Sequence, residues 1–179
     1  MKNSNFKIAI SLIVFVISLA LLVGGYQLYM KYGLIDPLKQ QLEARPAVAS
    51  AAISRNEGQF EVALQLQGVD NLQEEYQAIQ AILNNTLKEG SYRLHLSNPV
   101  DERLGAAYLH LQPAIYEAAA NHSFVWLDKT LSQYAAETGL AYQLYVDDRY
   151  LYLQLAAGEQ EMYRIVELNT AGRSLHEEN

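Results

Sequence analysis

The chain has 179 residues and no cysteine, with 20 Asp and Glu against 13 Lys and Arg for a net charge of −7. The missing cysteines exclude disulfides, thiolate nucleophiles and Cys-ligated metals. The acidic balance repels a phosphate backbone and argues against nucleic acid as a partner.

No charge stands between Lys7 and Lys31, and residues 8–23 are apolar apart from Ser11 and Ser18. As a helix, residues 8–30 span roughly 35 Å, enough for a hydrocarbon core of about 30 Å. Its backbone polar groups would be satisfied internally, as lipid requires. Tyr26 and Tyr29 fall at the distal end, where aromatic rings favour the headgroup level. Lys2, Lys7 and the α-amino group precede the run, whereas Lys31 and Lys39 beyond it are offset by Asp36 and Glu43. The expectation is an uncleaved single-pass signal anchor at 8–30 in contact with membrane lipid. A short cytoplasmic tail, 1–7, precedes it, and the C-terminal part lies outside the cell membrane. A cleaved signal peptide is the rival reading, but the run is long for such a segment and no Ala-x-Ala follows it. A buried core helix fits least, because the apolar residues surround the helix rather than forming one stripe.

Without Lys2 and Lys7, 11 Lys and Arg face 20 Asp and Glu, a net charge of −9 beyond Met30. That surface offers no basic patch to anionic headgroups. Asp36 and Pro37 read as a helix start, with Asp as N-cap and Pro at the first helical position. Leu38 and Leu42 continue it until Pro46. The apolar run 47–54, the turn residues Arg55-Asn56-Glu57-Gly58, and the alternation of Phe60, Val62, Leu64 and Leu66 with polar neighbours predict a β-hairpin. Asp70 with Gln73 matches a capping box. Leu72, Tyr76, Ile79, Leu83 and Leu87 then make the best amphipathic helix, stopped by Gly90. Tyr92, Leu94 and Leu96 alternate with Arg93, His95 and Ser97 as a further strand.

Asn98-Pro99 reads as the start of a second helix, with Asp101 and Glu102 in its first turn. Leu104, Tyr108, Leu111, Ile115 and Ala118 continue that helix, and Pro113 must kink or split it. After a break at 121–123, Leu127, Leu131 and Tyr134 mark another helix ending at Gly139. Leu140, Leu144 and Val146 suggest a strand, Asp147-Asp148 a turn, and Leu151, Leu153 and Leu155 one face of the next strand. Ala157-Gly158 is another turn. Residues 162–168 fit a last strand and a short helix equally well.

These elements give an α+β fold: a single N-terminal transmembrane helix, then an ectodomain of short antiparallel sheets packed on helices. A first α+β unit is expected at 34–97, a second at 98–170, and a disordered tail at 171–179. Segments 36–68 and 128–158 both read helix–strand–turn–strand, which suggests two αββ-type units. Their second strands carry Leu64-Gln65-Leu66 and Leu153-Gln154-Leu155, each followed by a Gly. The αββαβ order of 36–97 resembles small modules of envelope secretion, division and sporulation rings. That resemblance rests on element order alone, and no signature residue carries it to one family.

No catalytic, cofactor-binding or metal-binding constellation stands out, and no cofactor is expected. His95, His110 and His122 lack ligand spacing. Asp147 and Asp148, as strand neighbours, would point to opposite faces. Asn121-His122-Ser123 sets a hydroxyl beside an imidazole without a nucleophile elbow, and Ser123 reads better as an N-cap. Both that triplet and Asn84-Asn85-Thr86 match the glycosylation acceptor pattern. Five of the 13 tyrosines, Tyr142, Tyr145, Tyr150, Tyr152 and Tyr163, cluster near the C-terminus. Tyr favours strands, but Tyr145, Tyr150 and Tyr152 also form a candidate interaction surface, since Tyr150 and Tyr152 lie opposite the leucine face.

The functional expectation is a non-enzymatic, membrane-anchored extracytoplasmic module for protein interaction or assembly, binding a protein partner or itself. One alternative is a cell-envelope hydrolase using Asp147, Asp148 or Glu117, which needs two carboxyls about 5–10 Å apart in a cleft. The other is a ligand-sensing ectodomain, disfavoured because only about seven residues precede the anchor to carry an output.

Overall fold

A computed structural model describes residues 2–56 and 58–168, with side chains from Leu12 onward. Contacts divide the chain into two units, Met1–Gln41 and Leu42–Asn179. The first begins with α1 (Lys2–Leu28), runs through a π-helical segment (Tyr29–Ile35) and enters α2 (Asp36–Glu43). This one N-terminal helix is long and apolar enough to span a membrane, and none of its apolar window is buried by protein. Leu12, Phe15, Leu19 and Leu22 are each more than half exposed.

Asp36 does not restart the helix as an N-cap. Its backbone is helical (φ −63°, ψ −44°) and its N–H donates to Lys31 O, five residues back. Pro37 supplies the reason. Proline lacks an N–H and its ring crowds the carbonyl four residues earlier. A widened turn just before it relieves that conflict and lets the helix continue.

In the second unit, β1 (Val48–Asn56) and β2 (Gln59–Leu66) form the expected antiparallel hairpin. Gly58 takes φ 88°, a conformation that the turn requires and glycine adopts freely. α3 (Leu72–Thr86) follows, capped by Asn71 rather than Asp70. The Asn71 side chain accepts from the N–H groups of Gln73 and Glu74 and donates back to Glu74 Oε1. Leu72 is fully buried as the first helical residue, which places the cap one position later than the pattern suggested. β3 (Tyr92–Leu96) then pairs with β2 in parallel, so the order is β1-β2-β3. Among the described residues this is the one departure from antiparallel pairing, and it follows from the helical crossover α3, which returns the chain to the same end.

Asn98 does not open a helix. Its side chain accepts from Leu66 N (3.0 Å) and donates to Leu66 O (2.6 Å), extending the ladder beyond β3. Asp101 is the cap of α4 (Glu102–Asn121), accepting from the N–H groups of Arg103 and Leu104. α4 continues past Pro113 without splitting. Pro113 is exposed, so the carbonyl it leaves unpaired faces water. His122 in the left-handed conformation (φ 53°) ends the helix. α5 (Phe124–Thr138) ends at Gly139, and Arg103 donates to Thr138 O at its C-terminus, a favourable place for a cation.

β4 (Ala141–Val146), β5 (Tyr150–Ala157) and β6 (Gln160–Glu167) form an antiparallel meander. Residues 160–167 are therefore strand rather than helix. The two helix–hairpin segments recur as expected. They diverge in their third strands, parallel β3 in one sheet and antiparallel β6 in the other. Both sheets lie in the second unit. The expected tail at 171–179 lies outside the described residues.

β5 holds the centre. Leu151, Leu153 and Leu155 share a core with Leu104, Leu111 and Ile115 of α4 and Leu127 and Leu131 of α5. Tyr152 and Gln154 on its opposite face are also buried, and α3 contacts β5. A strand covered on both faces needs no polar side, which accounts for the Tyr–Leu–Tyr–Leu run.

Candidate functional site

The alternation in β5 places Tyr150 and Tyr152 opposite the leucines, and cross-strand pairing sets Tyr145 beside Tyr152. That face is not open. The ring of Tyr76 from α3 meets Tyr150 at 5.6 Å and Tyr152 at 5.8 Å, both edge-on. Tyr152 is fully buried and donates to Asp147 Oδ2 at 2.6 Å, so it cannot serve as an interaction surface. Tyr150 and Tyr145 are half-buried, and the Tyr145 hydroxyl donates to Gln143. Burial, then the Asp147 carboxylate, raises the Tyr152 phenol above its ordinary value.

Asp147 closes the β4–β5 turn. Its Oδ1 accepts from the N–H groups of Arg149 and Tyr150, and its Oδ2 from Tyr152 and Gln77. Burial pushes the carboxyl up, but these hydrogen bonds outweigh it and hold the group below the usual Asp value. A carboxylate so engaged is a structural acceptor rather than a general acid. Asp148 is exposed. Glu117 lies elsewhere, in a shallow groove of about 440 Å³ between α4 and α5 that also holds Glu137, His110 and Trp126. The structure does not bring Asp147, Asp148 and Glu117 together.

The histidines are equally dispersed. His95 Nδ1 stands 3.9 Å from Glu61, His110 stacks on Tyr134 at 5.0 Å, and His122 lies against Phe124. Among the described residues, no group of three His, Asp or Glu side chains could hold a metal. Asn84, in one of the two glycosylation patterns, is exposed and accepts from the Tyr92 hydroxyl.

A second concavity was not foreseen from sequence. It is a groove of about 1010 Å³ bounded by β3 on one side and β6 on the other. Tyr76, Gln80 and Asn84, spaced by four along α3, line it as a floor. Its charges largely cancel: Arg93 is 3.9 Å from Glu61, Arg149 is 3.5 Å from Glu89, and Arg164 lies over the Tyr108 ring. Burial, then Tyr150 and Glu89, raises the Tyr92 phenol.

Among the described residues, both bounding strands are sheet edges. Phe60 N donates to Ser91 O, and Ser97 N to Leu64 O. In a parallel ladder with that register, odd-numbered β3 residues bond to β2, so the backbones of Tyr92, Leu94 and Leu96 point outward. On the other side Leu168 N donates to Arg149 O. Even-numbered β6 residues therefore bond to β5, and those of Tyr163, Ile165 and Glu167 point outward. The outward Tyr163 carbonyl accepts from the Arg164 side chain. All six outward-facing residues line the groove. No local pattern reveals this, because it depends on which strands end their sheets.

No family model matches the chain, and a search of curated proteins finds no significant relative.

Proposed function

We propose that the chain is a single-pass, membrane-anchored protein-interaction module, with its body outside the membrane and no chemistry of its own. The observation that carries this reading is the groove between two strand edges that no described strand covers, on a chain that also holds a membrane-length apolar helix. An exposed strand edge offers backbone donors and acceptors to another chain. The acidic surface suits an aqueous compartment and a protein partner better than nucleic acid. The carboxylates weighed for hydrolysis are dispersed, and Asp147 is committed to a turn.

The reading is tested by chemical cross-linking of the full chain in its native cells, together with light scattering of the detergent-solubilised protein. A cross-linked partner or a defined oligomer is expected. A strictly monomeric protein that cross-links to nothing contradicts the proposal.

A further inference from the structure

Resting on that reading, we infer that the partner enters as an extended, unpaired polypeptide segment of another protein, laid between β3 and β6 as an added strand. The groove presents two rows of backbone donors and acceptors, from Tyr92, Leu94 and Leu96 and from Tyr163, Ile165 and Glu167. A single extended backbone has one row on each side and satisfies both. A strand already in a sheet has only one free row, which excludes the described strands of a second copy as occupants. Three outward residues on each wall match a segment of about five residues.

Charge narrows the partner further. The groove holds Glu61, Glu89 and Glu167 against Arg93, Arg149 and Arg164, whereas the chain beyond Met30 carries −9. A segment with little net charge is therefore suited to it, and a strongly basic one would be drawn to the rest of the surface instead. Alternate side chains of the segment meet Gln80 and Asn84 on the floor, so small or amide-bearing residues fit there.

The test uses the full chain in lipid nanodiscs, panned with a displayed library of random linear nonapeptides. Selected peptides are expected to slow amide exchange at Leu94, Leu96, Ile165 and Glu167 by about tenfold or more. Ile165→Pro removes a donor that faces the groove and leaves the β5 ladder intact, so it should weaken binding by about tenfold. Gln80→Trp adds bulk to the groove from α3 rather than from either strand and should do the same, which guards against a folding defect in the proline variant. No selected peptide, equal binding by both variants, or protection confined to another surface overturns the inference. So does faster exchange at these amides after deletion of residues 169–179, which would assign the groove to the chain's own end. Protection by chitotetraose but by no peptide overturns it in favour of carbohydrate. A cellular cross-link mapped away from the groove would leave the interaction reading standing and remove only strand addition.

Discussion

Asp147 gathers four hydrogen bonds, from two turn amides, the Tyr152 hydroxyl and Gln77 of α3. Because its carboxyl is held below the ordinary Asp value of about 3.9, the folded state binds this proton less readily than the unfolded chain. The stabilisation is therefore complete above the unfolded value and is lost as pH falls through the depressed one. Asp147→Asn is expected to lower stability by about 1–2 kcal/mol at pH 7, with the difference closing below about pH 4. Urea midpoints of the two proteins in detergent across pH 3–7 check this, and a pH-independent gap would contradict it. The turn at Asp147 was legible because Asp favours such positions. Its hold on Gln77 was not, since that residue stands 70 positions away in the chain. Asn98 teaches the same lesson. Asn before Pro looked like a helix start, yet its amide is matched to the backbone of Leu66, 32 residues away.

Among the elements, β5 and α3 decide the architecture. Leu153 is almost completely buried in the core formed with α4 and α5. Leu153→Ala should cost about 2–5 kcal/mol, while Leu109→Ala on the exposed side of α4 should change stability by no more than about 0.5 kcal/mol. Chemical denaturation of both variants tests the ranking, and equal effects would refute the placement of β5 between two helical layers. Period alone located nearly every element: the hairpin of β1 and β2, the amphipathic α3, and the helices ending at His122 and Gly139. What period could not supply was the cover. The tyrosine side of β5 looked available because nothing local hides it, whereas Tyr76 from α3 does so. α3 is also tied to the α2–β1 connection by the paired bonds of Arg45 to Glu75, 2.5 and 2.7 Å, which no helix-local spacing predicts. Residues 162–168 fitted two periods. Pairing with β5 selected the strand.

For the whole molecule, the apolar helix and the groove belong to different units, and the proposed function needs both. The helix was legible in composition, because an uncharged apolar run of this length makes a helix long enough to span a membrane. The groove was hidden because strand order is a property of the assembled sheets. The most direct measurement of the membrane-anchored, outward-facing arrangement exploits the absence of cysteine. Single cysteines are placed at Asn3, ahead of the apolar run, and at Ser132, exposed on α5, and intact cells are treated with a membrane-impermeant maleimide. Labelling at Ser132→Cys in intact cells, with Asn3→Cys labelled only after permeabilisation, is the expected result. Protection of Ser132→Cys until the membrane is opened, or recovery of the full chain in the soluble fraction, would contradict it.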